Sequence, residues 1–395
     1  MSFNIALSGI NAINTELNTI SNNIANAGTF GFKSSRTNFG SMYAGTEAVG
    51  TKATSVTQSI EIGGGVLTTG RSMDASIQGR GFFVVRNSSG EELYTRVGIF
   101  DVDTDGYVVD SFGRRVQGFA AIQGSTALGP LGDLQVPTGQ IPAQATTALH
   151  YVGNLSADWT IPAVAPFDPT DPQSFNGSVV SVVYDSLGVQ HTVTQFFVKS
   201  DVNQITVHYS FDGVVQPATT VLDFDTNGQL AGPVGAVAIP LGTPTGAEPM
   251  VIDVNYAGTT QTAGETSTST NAANGYASGT FLGVQIASDG SVLAQYSNGI
   301  KQSIGTLAIA TFPAENQLRQ VSETAWTTTA ESGNALYSTP GNGMAGTLTP
   351  GALEQSNVDM TAQLVNLMTA QRNYQANTKV IAAQSEMMQS LMQAI

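Results

Sequence analysis

The sequence predicts a multidomain, mostly β protein in which nested, discontinuous β domains are held between N- and C-terminal α-helices that pair in a coiled-coil-like core. Three observations lead there. Apolar residues return at steps of seven at both ends of the chain. Short alternating runs bounded by Gly, Asn and Asp fill the middle. The stretch 149–283 differs in composition from what flanks it. A seven-residue step keeps side chains on one face of a helix, whereas alternation puts them on one face of a strand.

The first helix is read from Phe3, Ile10, Leu17 and Ile24, with a second row at Ala6, Ile13, Ile20 and Ala27. Ser2 has N-cap chemistry, and Gly28 follows the seam as a helix terminator. Its polar side is Asn4, Asn11, Asn14, Thr15, Asn18, Thr19, Ser21, Asn22 and Asn23, and Glu16 is its one charge. These are weak helix formers, so the segment is expected to be disordered in the monomer and to fold on association.

Residues 28–70, rich in Ser, Thr and Gly and ending in Gly63-Gly64-Gly65, read as an extended connector. From Asp74 to Ile122 short strands alternate with Gly, Asn and Asp turns, as in Gly81-Phe82-Phe83-Val84-Val85 and Tyr107-Val108-Val109. A Pro, Gly and Thr-rich passage from Gly129 to Thr147 marks a boundary. Beyond it eleven Asp and Glu face one lysine, Lys199, and strand patterns recur at 178–184, 191–198, 206–211 and 251–256. Residues 262–278 read as a featureless loop. After Gly283, Asp289-Gly290 and Asn298-Gly299 mark two hairpin turns.

The C-terminal row is Met360, Leu367, Tyr374, Ile381, Met388 and Ile395, opened by Ser356-Asn-Val-Asp359, which matches a capping box. Since both ends are helical and pair, each middle domain leaves and returns on one side. The expected division is a helical core (1–27 and 356–395), connectors (28–70 and 340–355), an inner β domain (71–148 and 284–339) and an inserted outer β domain (149–283).

Net charge is −15, and only 11% of the 395 residues are charged. The negative balance argues against nucleic acid and anionic membranes as partners. No apolar run reaches the roughly 20 residues of a membrane span, so no membrane insertion is expected. There is no cysteine, so disulfides and thiolate chemistry are excluded. The N-terminus lacks a Sec-type signal: its first basic residue is Lys33. The protein therefore either stays in the cytosol or leaves by a route that reads an uncleaved N-terminus. Charge-poor helix flanks suit helices surrounded by copies of themselves.

Two stretches, Asp101-Val-Asp103-Thr-Asp105-Gly106 and Asp223-Phe-Asp225-Thr-Asn227-Gly228, copy the first half of a calcium loop. Neither has a Glu at position twelve nor a flanking helix pattern, so a hairpin turn is the better reading. His150, His191 and His208 lack ligand spacing and read as solvated or turn residues. No nucleophile elbow, phosphate loop or dinucleotide motif is present, so no catalytic residue, metal, cofactor or enzyme activity is expected.

The stretch Ala6-Leu7-Ser8-Gly9-Ile10-Asn11-Ala12, then Ile20-Ser21-Asn22-Asn23-Ile24-Ala25-Asn26, then Thr29-Phe30-Gly31-Phe32-Lys33, resembles the N-terminal signature of bacterial flagellar rod and hook proteins. The closing run from Gly351 to Asp359, with Leu364-Val365-Asn366-Leu367-Met368 and Gln371-Arg372-Asn373-Tyr374-Gln375, resembles that family's C-terminal motif. Gly79-Arg80-Gly81-Phe82-Phe83 and Tyr94-Thr95-Arg96-Val97-Gly98-Ile99-Phe100 extend the likeness to the inner β domain. Over 149–283 only architecture carries across. Length and the additional outer domain match the hook members better than the shorter rod members.

The resemblance implies a subunit exported unfolded and polymerised with itself into a curved tube, a universal joint that transmits torque from rod to filament. The polymerisation core would be the two seven-step rows. Implied partners are a distal rod protein, a hook cap protein, a hook-filament junction protein and the flagellar export gate. Phe39-Gly40-Ser41-Met42-Tyr43 resembles the family's export-gate motif with Tyr43 in place of a second Phe. An aromatic pair packing the connector is the alternative for Phe39 and Tyr43. Two other readings of the chain stay open at this point: a straight distal rod protein, and a β-rich surface adhesin trimerised by its end helices.

Overall fold

The computed structural model describes residues 2–122 and 127–393. It divides into two compact units. The first holds residues 1–138, 283–295 and 301–395; the second holds 139–282 and 296–300.

In the first unit, helix α1 (Ser2–Ala25) is followed by strands β1 (Ser35–Ala44) and β2 (Glu47–Gln58), and the chain closes with helix α2 (Met360–Gln393). The β1–β2 hairpin is a departure from the extended connector expected of residues 28–70. It pairs in register from Ser35 opposite Gln58 to Ala44 opposite Glu47, with two bulges. Its residues are mostly Ser, Thr, Ala and Val with little apolar alternation, because one face lies on α1 and the rest stays solvated.

The β core of this unit joins strands from both halves of the chain. Phe82–Arg86 pairs with Glu92–Thr95 and with Ile309–Thr311. Ala75–Gln78 pairs with Thr347–Pro350, and Val66–Thr68 with Ala352–Glu354. The domain is thus discontinuous in sequence and continuous in space. Phe82, Val84, Tyr94, Phe312 and Trp326 make its buried centre, with Phe82 and Trp326 rings 5.4 Å apart and Tyr94 and Phe312 edge-to-face at 4.8 Å.

The second unit is built of two five-stranded sheets. One runs in the order 177–184, 190–201, 204–211, 214–224 and 230–232; the other assembles around 148–156. Inward residues of both form one cluster, including Tyr151, Phe197, Tyr209, Leu222, Ile252 and Tyr256. The stretch expected as a loop over 262–278 contains strand Ser267–Ala273, antiparallel to 148–156. It carries no apolar pattern because most of its side chains face solvent; the ladder holds it, helped by Asn271, which accepts from the Ser181 hydroxyl and donates to the Val180 carbonyl.

Both calcium-like sequences are hairpin turns. The Asp103 carboxylate accepts the amides of Asp105 and Tyr107, and Asp225 those of Asn227 and Gln229, with Gly106 and Gly228 at positive φ. Asn87, Asp110 and Asp185 build the same turn, each accepting the amides two and four residues on. Two histidines depart from the solvated expectation. His191 is wedged between Asp212 (2.6 Å) and Asp185 (3.4 Å), and His208 stacks on Phe167 with centroids 4.3 Å apart. Strand alternation turns His191 inward, beside the two turn carboxylates.

Candidate assembly interface

Helix α1 lies between the β1–β2 hairpin and α2. It runs antiparallel to α2: Gly9 faces Asn377, and Asn23 donates to the Gln363 side chain (3.2 Å). Ile13, Leu17, Ile20 and Ile24 of α1 close on Leu367 and Tyr374 of α2, with Ala370 buried at the centre. Ile10 and Ile381 flank this cluster, partly buried. Phe3 is 46% exposed, Met360 41% and Met388 54% within the single chain. Ile395 lies outside the described residues, as does the side chain of Ser2, the expected N-cap.

The buried face of α2 has a second row that apolar periodicity does not reveal, namely Gln363, Ala370, Asn377 and Gln384. Small and amide side chains let the helices approach closely and exchange hydrogen bonds, so they sit where a hydrophobic pattern would demand Leu. The only available signal was their regular offset of three from the apolar row.

Two residues assigned to the polar side of α1 are inside. Asn23 is 1% exposed: its amide donates to the Ser35 carbonyl (2.8 Å) and its oxygen accepts the Ser35 N–H (2.9 Å). Thr19 meets Thr37 hydroxyl to hydroxyl at 2.9 Å. Both bind the hairpin to the helix, a role that a polar residue fills and water-facing composition conceals. The expected capping box is also resolved differently. Asp359, not Ser356, caps α2, its carboxylate accepting the Ala362 N–H at 3.1 Å, and Ser356 serves only the preceding turn at 3.4 Å.

Where the helices meet the β core, three charges are buried together. Lys33 Nζ lies 2.6 Å from Glu354 Oε1, and Arg96 Nη1 lies 3.2 Å from Glu354 Oε2, all three side chains at 3% exposure or less. Gly64 donates its N–H to the same carboxylate at 3.0 Å, Lys33 also reaches the Ile62 carbonyl, and Arg96 reaches the carbonyls of Ile77 and Gly79. Burial pushes the Lys33 amine below its ordinary range, against the Glu354 carboxylate, which supports its charged form. Gly31 has φ +68° and its N–H donates to the Glu354 carbonyl; a Cβ there would stand 2.9 Å from the Arg96 backbone. Asn357 completes the junction, accepting the Ser34 N–H and donating to the Ser59 and Ile62 carbonyls. Residues from all three signature stretches therefore converge on one joint.

The aromatic pair of the export-like motif sits on β1, with Phe39 46% and Tyr43 65% exposed. Phe39 lines a cleft of about 440 Å³ between α1, the hairpin and α2. Glu16 lines it too, and burial raises its carboxyl above the usual range. A broad apolar strip of α2 stays open beside the seam: Leu364, Val365, Met368, Val380 and Met387 are each 47–55% exposed. Among the described residues no helix is long and apolar enough to cross a membrane. Chemically the arrangement offers neutral, apolar and amide-lined surface, suited to packing.

Comparison with known proteins agrees with this geometry along the whole chain. Residues 3–33 match the model described as flagella basal body rod protein, and residues 76–151 the flagellar hook protein FlgE/F/G D1 domain. Residues 154–276 match the flagellar basal body protein FlaE D2 domain, and 349–394 the flagellar basal body rod FlgEFG protein C-terminal model. The flagellar hook protein FlgE of Escherichia coli is 35% identical over 404 residues, covering 99% of both chains. That of Salmonella typhimurium is 36% identical over 405 residues with the same coverage, and that of Brucella suis 33% identical over 98% of this chain and 96% of its own. The crystal structure of Helicobacter pylori flagellar hook protein FlgE2 matches the fold with a TM-score of 0.53 at 13% identity, over 73% of this chain and 100% of that one. With discontinuous β domains between paired terminal helices, and relatedness from end to end, the chain belongs to the flagellar hook protein FlgE family.

Proposed function

We propose that this chain is the repeating structural subunit of a flagellar hook, a self-assembled flexible tube that carries torque from rod to filament outside the cell. The observation that carries the reading is the apolar strip left open on α1 and α2 beside an already formed seam. In a lone molecule those side chains cost free energy in water; another copy removes them from it. The polymerisation core on this reading is Phe3, Ile10, Ile13, Leu17, Ile20 and Ile24 with Met360, Leu367, Tyr374, Ile381, Met388 and Ile395. The second β unit, with eleven Asp and Glu against one lysine over 149–283, presents a weakly repelling surface with few cations to anchor it, one that neighbouring copies can slide over as the tube bends.

The same reading carries a route and neighbours. The subunit passes the flagellar export gate unfolded, reading Phe39 and Tyr43, and meets a distal rod protein, a hook cap protein and a hook-filament junction protein at the ends of the tube. Its role is mechanical and needs no catalytic group. Electron microscopy of the concentrated protein tests the central claim: open-ended tubes are expected, and deletion of residues 1–27 abolishes them. A closed small oligomer from the intact chain would refute it. Phe39→Ala that is exported at the normal rate would remove the export role alone.

A further inference from the structure

Pairing of Gly9 with Asn377 and of Asn23 with Gln363 fixes how far the two helices overlap. Carried on at that register, Ser2 stands opposite Gln384, so the last turns of α2 run past the start of α1. Met388 continues the row Leu367, Tyr374 and Ile381 that faces α1, one turn past Gln384, the position opposite the first described residue of α1, Ser2. Met388 is 54% exposed and Met392, one turn further on the same face, 72%. Glu386, the one charge of these turns, points to the opposite side of the helix.

Higher on the same helix pair lies the cleft of about 440 Å³ lined by Gly9, Ala12 and Glu16 of α1, Phe39 of β1, and Ala376 and Asn377 of α2. Glu16 is the one charged residue of its lining. The small residues Gly9, Ala12 and Ala376 leave it open beside an apolar floor. Flexible thioether side chains fill such irregular space well.

We infer that the methionine overhang of α2, Met388 and Met392, docks into the Glu16 cleft of a second copy of this chain. The occupant is another copy for a geometric reason. On its own helix Met388 stands 12 residues beyond Ala376, about 18 Å along the axis, so the overhang cannot fold back into its own cleft. Continuity points the same way, since the overhang is the unfilled end of the α1–α2 seam. The methionine overhang and the cleft lie at different heights on one α1–α2 pair, so the contact is head-to-tail; such contacts propagate into open helical filaments unless the rotation closes a ring. This inference rests on the self-assembly reading and specifies which surfaces carry the axial step.

The absence of cysteine makes the test direct. Ala376→Cys and Met388→Cys in one chain are too far apart to bond to each other, because a disulfide needs Cα atoms roughly 4.4–6.8 Å apart. Mild oxidation of assembled tubes of the double variant is expected to give a ladder of covalent oligomers, with neither single variant doing so. Tubes visible in micrographs but without a ladder overturn the inference and leave the self-assembly reading intact; failure of the unmodified chain to form tubes removes both. Met388→Ser with Met392→Ser supplies a second measurement. The threshold concentration for assembly is expected to rise about tenfold, equivalent to about 1.4 kcal/mol, with the melting of the monomer's β units unchanged. An unchanged threshold overturns the inference.

Discussion

At the scale of single residues, the joint between helices and β core rests on Glu354, whose one carboxylate bridges Lys33 and Arg96 in a buried site. Removing one partner of a buried ion cluster leaves uncompensated charge, a change that costs about 3–5 kcal/mol. Glu354→Gln is therefore expected to lower the unfolding free energy of the first unit by that amount, read as a lower urea midpoint through the fluorescence of buried Trp326, while Trp159 in the second unit reports no change. Neither residue number nor type announced this cluster, since Lys33 and Glu354 are 321 positions apart. In the second unit the buried Tyr209 hydroxyl bonds Thr220 at 2.7 Å and Tyr256 at 2.8 Å, and Tyr256 donates on to Gln195. Burial pushes Tyr209 up from 10.0 to about 12, and Tyr256 well above its ordinary value. A raised phenol pKa means the fold holds the neutral form. Its contribution is complete below pH 10 and is lost as pH climbs toward 12, on the order of 3 kcal/mol for Tyr209 alone. Denaturation of this unit monitored between pH 9 and 12 should show that fall, and Tyr209→Phe should make it shallower.

Single elements show why some signals in the chain are clear and others silent. The turns are clear because Asn87, Asp103, Asp110, Asp185 and Asp225 each satisfy two backbone amides by their own short side chains, a local act. The β1–β2 hairpin and the strand Ser267–Ala273 are silent because their partners are a helix and a distant strand, and solvent-facing side chains leave no alternation. Helix α1 stands between these cases. Its apolar rows are legible, yet its asparagines and threonines favour no helix until α2 and the hairpin receive them. Amide-proton exchange of the dilute monomer is accordingly expected to be fast throughout α1 and to slow in the assembled tube; slow exchange in the monomer would count against folding on association. Asn23→Ala, which strips the buried amide from Ser35 and Gln363, is expected to weaken the packing of α1 on α2 and the hairpin by about 1–3 kcal/mol, read in the assembled tube as an earlier loss of helical circular dichroism on heating.

The whole molecule combines a −15 net charge with only 11% charged residues, and its ion pairs are concentrated at the buried joint and in the β core of the first unit. Assembly through apolar helix faces then has little for salt to screen. Raising salt from about 0.05 to about 0.5 M should move the threshold concentration less than threefold, whereas an interface of surface ion pairs would shift it much further. By itself the sequence determined the helical ends, the turns, four of the ten strands of the second unit and the insertion of one β unit within another, because periodicity, turn chemistry and composition act over a few residues at a time. Tertiary structure alone decided that Asn23, Lys33, Arg96, Glu354 and Asn357 meet, that Gln363, Ala370 and Asn377 make half of the helix seam, and that 35–58 forms a hairpin on α1. The physical reason is common to all three: a polar or small side chain looks the same whether it faces water or a partner hundreds of residues away, and only closing the chain brings that partner within hydrogen-bonding distance.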